Sequence, residues 1–239
     1  MITSLTDQLE PYWEDLDGLI KEGIKSVVRP MHYRYFTACS LKLKALWYIQ
    51  SRVGDLDLKY GQLVDSLLKQ GTFDRFSKNS DRTWSYLPFF EALEFENLLN
   101  QGKACLDCFS KAVGSTFGEL PNNISKLERV IKSDGSKKHG RSAQASKLLL
   151  HNIVVARTNL DGILLDPGNS KKSIRDLVSH REFVSIHFRI AQSHRSATAL
   201  VRSDHPEIVR LSDYRVTEIS ERVWYHTRKL VAESLPLLL

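Results

Sequence analysis

The chain has 239 residues, of which 42% are hydrophobic and 26% are charged, an ordinary composition for a globular protein. That length suits one large domain or two small ones with a substantial buried core. No stretch approaches the roughly 18 uninterrupted apolar residues of a membrane span, and the N-terminus lacks the basic and apolar regions of a signal peptide. The sequence therefore predicts a cytoplasmic protein without a membrane partner.

Charge is unevenly distributed along the chain, whose net charge is +6. Residues 1–120 carry 14 Lys and Arg against 16 Asp and Glu, whereas residues 121–239 carry 20 against 12. The excess in the second half indicates an anionic partner such as RNA or a nucleotide, or simply a solvated basic surface. Charge alone does not choose between these two interpretations.

In the first third of the chain, apolar residues recur at helical spacing. They predict one helix over about residues 32–52 and a second over residues 56–69, with Gly54 ending the first. The polar residues 72–85 predict a loop after the second helix.

The longest apolar pattern predicts a helix from Pro88, in its first turn, to Phe117, with Gly118 as its stop. Its apolar stripe consists of Phe90, Leu93, Leu98, Cys105, Leu106, Phe109, Val113 and Phe117. Cys105 and Cys108 form a CxxC pair inside this pattern, and not at a helix start after a strand, where redox pairs lie. Together with Cys39 they predict buried apolar thiols, and no metal site.

The second half predicts shorter helices and one hairpin. Helices are expected over residues 124–131, 143–165 and 213–235. A short helix, capped by Asn169 or Ser170, is expected to extend through about Ser179 after a break at Asp166-Pro167-Gly168. Alternating apolar and polar residues then predict a β-hairpin at about residues 183–202. The predicted fold class is mainly α: a helical bundle with a small β-hairpin before the C-terminal helix.

Residues 171–190 contain the side chains that most strongly indicate chemistry, namely Arg175, Asp176 and His180. On a helix beginning at Ile174, all three point away from the face of Ile174, toward solvent or a partner subunit. Arg175 and His180 are about 140° apart around the helix axis, too far to converge on one atom from one helical face. They could converge if the helix unwinds near His180 or if a second copy of the chain completes the site.

An arginine and a histidine suffice for chemistry on a phosphodiester. The guanidinium grips phosphate with paired hydrogen bonds, and the imidazole serves as general acid or base near neutral pH. RNA supplies its own nucleophile, the 2′-hydroxyl, so cleavage needs no metal. Two copies of His180 in a symmetric dimer could divide the acid and base roles. Composition alone favours the plainer interpretation, in which Arg175 and Asp176 join surface ion pairs of little energetic weight.

The motif Arg175-Asp176-x-x-x-His180 on a capped helix resembles the signature of the HEPN superfamily, in which a His follows an Arg at four to six positions. The resemblance extends loosely over residues 86–180. It implies an α-helical bundle that dimerises through the motif and, in active members, a metal-independent endoribonuclease of defence or toxin–antitoxin systems. Arg175 would bind phosphate, His180 would act as general acid and base, and Asp176 would orient one of them.

The residues expected to bind ligand around the motif are Ser179, Arg181, Lys171 and Lys172. Asp176 stands where active members often have Asn, and its carboxylate would repel a phosphate unless it is neutralised. Three other histidines lie in helical patterns and are expected to be partly exposed structural residues: His32, His151 and His226.

Three functions follow from these observations. The first is a homodimeric HEPN-like endoribonuclease without cofactor, which an antitoxin-type protein partner would neutralise. The second is a non-catalytic HEPN-like module that binds RNA or a nucleotide. The third is a purely structural helical protein, favoured if Arg175 and His180 are ion-paired or buried apart from any cleft. Residues 1–85 are expected to form an N-terminal helical extension and residues 86–239 the HEPN-like domain, unless the chain is one continuous domain.

Overall fold

The structure, a computed structural model, describes residues 10–25, 30–70, 81–134, 142–166, 172–180, 185–190, 197–202 and 215–238. The α-helices of these segments are α1 (Glu10–Lys25), α2 (Tyr33–Lys69), α3 (Asp81–Ser115), α4 (Ile124–Asp134), α5 (Ala143–Leu160), α6 (Ile174–His180) and α7 (Val216–Ser234). Short 3-10 helices cover Pro30–His32 and Leu235–Leu238. The prediction of a mainly α fold is confirmed.

Two strands, β1 (Ser185–Ile190) and β2 (Ala197–Arg202), pair in antiparallel fashion. Ser185 lies opposite Arg202, and Ile190 lies opposite Ala197. Both strands fall within the interval 183–202 in which the alternating pattern placed a hairpin.

Helix α2 is one continuous helix of 37 residues, so the prediction of two helices separated at Gly54 is wrong. Gly54 lies inside the helix, and a glycine there costs only about 1 kcal/mol relative to alanine. Leu46, Val53 and Val64 are buried on either side of it. Burial of such side chains contributes about 1.5–3 kcal/mol each, which outweighs the cost of the glycine.

Helix α3 begins at Asp81, so residues 81–85 are helical and the predicted loop is wrong there, while residues 72–80 lie outside the described segments. Pro88 lies within the helix and not in its first turn. A proline removes one backbone donor and crowds the carbonyl four residues earlier, a local cost that a 35-residue helix tolerates. Phe90 and Leu93, expected in the apolar stripe, are exposed.

The end of α3 has the geometry of a Schellman motif, with Gly118 as its left-handed residue at φ 77°. The N–H of Glu119 donates to the carbonyl of Gly114 at 3.0 Å, and the N–H of Gly118 donates to Ser115 at 3.2 Å. The predicted stop at Gly118 is therefore confirmed. A Cβ at Gly114 would lie 2.2 Å from Cδ of Pro121, so this residue must lack a side chain.

Helix α5 ends at Leu160, before the predicted end at residue 165. Gly162 adopts φ 78°, and the carbonyl of Leu160 accepts N–H groups from the three residues Ile163, Leu164 and Leu165. The turn at Gly162 therefore ends the helix ahead of the expected break at residues 166–168, of which 167 and 168 lie outside the described segments.

The chain divides into two compact units. One contains residues 1–44, 102–159 and 225–239, and the other contains residues 45–101 and 160–224. The boundary expected between residues 85 and 86 falls inside α3. No helix in the described segments is both long enough and apolar enough to cross a membrane.

Candidate functional site

The Arg-Asp-His motif lies on α6, whose first turn is held by the loop that precedes it. The N–H of Ser173 donates to Oδ1 of Asp166 at 2.8 Å, and the N–H groups of Ile174 and Arg175 donate to the carbonyls of Gly162 and Ile163. The N–H of residue 176 donates to Oγ of Ser173 at 3.3 Å. The backbone donors that a helix start normally leaves unpaired are thus all used within the chain.

Ser173 is the capping residue of α6, and the predicted caps, Asn169 and Ser170, lie outside the described segments. Its hydroxyl occupies the position from which a serine satisfies a first-turn donor. The side chain of Asp166 is also 3.5 Å from Nζ of Lys172. Burial alone would raise the pKa of Asp166, but the Ser173 N–H and the Lys172 ammonium together hold it below its ordinary value. Asp166 therefore anchors the start of α6 as a carboxylate.

Arg175 and Asp176 form an ion pair, with Nη1 of Arg175 2.7 Å from Oδ1 of Asp176. Their side chains are 28% and 23% exposed, so both are half-buried on the side of the helix that was expected to face solvent or a partner subunit. The loop before α6 hydrogen-bonds to the backbone of Arg175 and so lies against this helix. Nε of Arg175 is buried and has no hydrogen-bond partner among the described residues.

The structure describes the side chains of only some of the predicted site residues. Lys172 lies beside Asp166, and Arg175 lies beside Asp176. The backbones of Ser179 and His180 form the end of α6, but their side chains are outside the described part of the chain, as are Lys171 and Arg181. A purely structural protein was expected if Arg175 and His180 were ion-paired. Arg175 is ion-paired, so it meets this condition.

The cysteines have the environment expected of structural thiols. Cys39 and Cys105 are buried, and Cys108 is half-buried. A hydrogen bond with Cys39, together with burial, raises the pKa of the Cys105 thiol well above its ordinary value, and burial raises the pKa of Cys108. Thiols with raised pKa values are poor nucleophiles at neutral pH. No group of three His, Cys, Asp or Glu side chains suited to a metal ion occurs in the described segments.

Two histidines that were expected to be structural lie in a cleft. His151 on α5 and His226 on α7 line a cavity of about 100 Å³ together with Lys229 and Glu233. His151 is exposed and His226 is half-buried, as expected, whereas His32 is buried and not partly exposed. Helical periodicity places a residue on a face of its own helix, but it does not say which two helices face each other, so the sequence could not pair these histidines.

A buried carboxyl group is found on α3, and no sequence pattern indicated it. Glu91 is fully buried, and neither of its carboxyl oxygens has a hydrogen-bond partner among the described residues. Burial, and then the nearby charge of Asp57, raises the pKa of Glu91 from 4.5 to about 8. Glu91 is therefore mostly protonated at neutral pH.

Comparison of the chain with protein-family models, with curated proteins and with solved structures finds no match to any of them.

Proposed function

We propose that the chain is a metal-independent endoribonuclease that acts as a homodimer, with Arg175 binding phosphate and His180 acting as general acid and base. The observation that carries the proposal is the position of Arg175 on helix α6, whose first turn is anchored by the preceding loop. Asp176 fixes the guanidinium through Nη1 and leaves Nη2 as a second terminal donor for a phosphate oxygen. The basic second half of the chain, with 20 Lys and Arg against 12 Asp and Glu, supports an anionic substrate.

The anchoring of α6 supports the same proposal. Positioned groups lower a reaction barrier because little conformational freedom remains to be lost when the substrate binds. Three hydrogen bonds from the backbone of residues 173–175 to the loop, and one from the N–H of Asp176 to the Ser173 hydroxyl, hold the backbone on which Arg175 stands. Two copies of this helix would supply two imidazoles, one to take the proton from the 2′-hydroxyl and one to protonate the leaving 5′-oxygen.

The direct test is incubation of the purified protein with mixed RNAs in EDTA. We expect the unmodified protein to cleave RNA. His180→Ala should reduce the cleavage rate by about 100-fold or more, because proton transfer is lost, and Arg175→Ala should abolish cleavage. Arg129→Ala, which removes an exposed arginine from α4, is the matched control and should cleave normally. Absence of cleavage by the unmodified protein, or equal cleavage by His180→Ala, would show that the proposal is wrong.

Asp176→Asn provides a test in which RNA binding is expected to become stronger. The amide can still accept a hydrogen bond from Arg175, but it no longer neutralises the guanidinium or repels a phosphate. We expect RNA affinity to rise by about two- to fivefold, the scale of a partly exposed ion pair. Unchanged or weaker binding by Asp176→Asn would mean that Arg175 does not contact phosphate.

A second candidate is a non-catalytic module that binds RNA or a nucleotide. The enclosure of Arg175 favours it, because its Nε is buried and its ion pair with Asp176 cancels much of its charge. This function predicts RNA binding that weakens steeply with salt, with the RNA recovered intact from the complex. An antitoxin-type protein partner is expected only under the catalytic proposal, since an inactive module needs no neutralisation.

A further inference from the structure

Helices α5 and α7 enclose a cleft of about 100 Å³, all of whose lining residues belong to one compact unit. A single water needs only about 10–15 Å³ of cavity volume. The cleft therefore has room for several waters or for one group the size of a phosphate. The buried side chains of Ala156 and Leu230 form its apolar base.

Polar side chains from both helices line the same cleft. His151 and Asn152 come from α5, and His226, Lys229 and Glu233 come from α7. An ammonium, two imidazoles and an amide can all donate hydrogen bonds, whereas Glu233 alone is restricted to accepting them when ionised. The cleft is therefore better suited to an anionic ligand than to a cationic one.

Lys229 does not form a hydrogen bond with Glu233, the nearby carboxylate on the same helix. Nζ of Lys229 lies 3.8 Å from Oε1 of Glu233, which is longer than a hydrogen bond. The same ammonium lies 5.8 Å from the centre of the Tyr225 ring. A phosphate oxygen in the cleft could therefore hydrogen-bond to Lys229 without a strong contact being broken.

We propose that this cleft binds a phosphate group, free or carried by a nucleotide, through His151, His226 and Lys229, with the amide of Asn152 as a further donor. Charge-assisted hydrogen bonds from these groups are the strong kind that phosphate recognition uses. None of the residues lies on α6, so this binding site does not rest on the ribonuclease proposal and would survive its failure.

Protonation of the two histidines controls the charge of the cleft. The titratable side chains that line it are His151 on α5 and His226, Lys229 and Glu233 on α7. With both imidazoles neutral, the charges of Lys229 and Glu233 cancel, and with both protonated the cleft gains two positive charges. Anion binding is therefore expected to be stronger when the two imidazoles are protonated than when they are neutral.

Calorimetric titration with sulfate tests the site, because sulfate keeps its charge over the pH range in which phosphate titrates. We expect saturable sulfate binding at about pH 6 that is weaker at higher pH, where imidazoles carry less positive charge. In competition at the lower pH, inorganic phosphate and AMP should displace sulfate and adenosine should not. Tighter binding of AMP than of phosphate would assign the group to a nucleotide, and equal affinities would assign it to free phosphate.

Three substitutions should weaken sulfate binding, and one should strengthen it. His151→Gln, His226→Gln and Lys229→Ala should each raise the Kd by about tenfold, the loss of one charge-assisted hydrogen bond. Glu233→Gln should lower the Kd, a result that misfolding cannot produce. Lys59→Ala, which removes an exposed lysine from α2, should leave it unchanged. The proposal is overturned if sulfate fails to saturate at the lower pH, if the histidine variants bind normally, or if Lys59→Ala weakens binding equally.

Discussion

At the scale of single residues, Glu91 is a carboxyl group whose ionisation the fold opposes. Its pKa is raised from 4.5 to about 8, so the folded state holds a proton that the unfolded state releases above the lower value. The contribution of Glu91 to the free energy of unfolding should therefore fall as pH rises between these two values. The total loss is on the order of a few kcal/mol.

Urea unfolding of the Glu91→Gln variant over the same pH range checks this prediction. Glutamine keeps the shape of the protonated carboxyl and cannot ionise, so the fall in stability that Glu91 causes between the two pKa values should vanish. Asp55→Asn, at an exposed position of α2, is the control and should follow the unmodified protein. If Glu91→Gln retains the full pH dependence, another group is responsible for it.

At the scale of elements, Gly54 lowers the stability of α2 without a structural need for a glycine there. A Cβ added there meets no atom within 4 Å, and the residue is helical. Gly54→Ala should therefore raise the free energy of unfolding by about 0.5–1 kcal/mol through helix propensity and reduced freedom of the unfolded chain. Thermal or urea unfolding measures the change, and a loss of stability would mean that α2 is interrupted at this residue.

Gly162 should respond to the same substitution with the opposite sign. Space is also open around it, since no atom lies within 4 Å of an added Cβ, but its φ is 78°. Alanine in this left-handed conformation costs about 1–2 kcal/mol. Gly162→Ala should lower the free energy of unfolding, and the comparison with Gly54→Ala separates backbone conformation from steric space because neither position is crowded.

Helical periodicity predicted most of the helices correctly because their buried faces are regular, as in α4 and α7. Helix ends were predicted less well. Gly54 lies inside a helix because burial of Leu46, Val53 and Val64 outweighs one unfavourable residue, and the glycine itself does not reveal that burial. Pro88 also lies inside a helix and not in its first turn. The end of α5 depends on the φ of Gly162, and the cap of α6 is Ser173 because Asp166 anchors it. Such pairings across a loop have no short-range pattern.

At the scale of the whole molecule, the ribonuclease proposal requires two chains to act together. If each reaction uses one imidazole from each subunit, a dimer of one active and one His180→Ala subunit should be inactive. Adding excess His180→Ala to the unmodified protein, with time for subunit exchange, should therefore lower the activity per unmodified subunit toward zero. Sedimentation measurements at the same concentrations should show that the protein is a dimer.

The unmodified protein at the same total concentration serves as the control for that mixing experiment. Activity that stays proportional to the amount of unmodified protein would argue for sites contained in single chains. Such a result would leave the phosphate site between α5 and α7 unaffected, because its side chains all come from one chain.

The candidate site was predictable only in part. The residues of the motif and their helix could be read from the sequence, since Arg175 and Asp176 are adjacent and a capped helix of this length has a local pattern. An ion pair between Arg175 and Asp176 was one of the two interpretations of these residues in the sequence. Their enclosure by the loop before α6 was not, because it depends on how residues 161–166 fold back, and the cleft of His151 and His226 depends on helices far apart in sequence.

The way α6 begins has a consequence for amide hydrogen exchange. The N–H of Asp176 is bonded to the Ser173 hydroxyl within the helix start. The N–H groups of residues 173–175 are bonded to the preceding loop, so they can exchange with solvent only when the loop and the helix separate. The exchange rates of these three groups should therefore be similar to one another and should increase together in Gly162→Ala. The protection of three backbone amides would then report how firmly Arg175 is held, without any substrate being known.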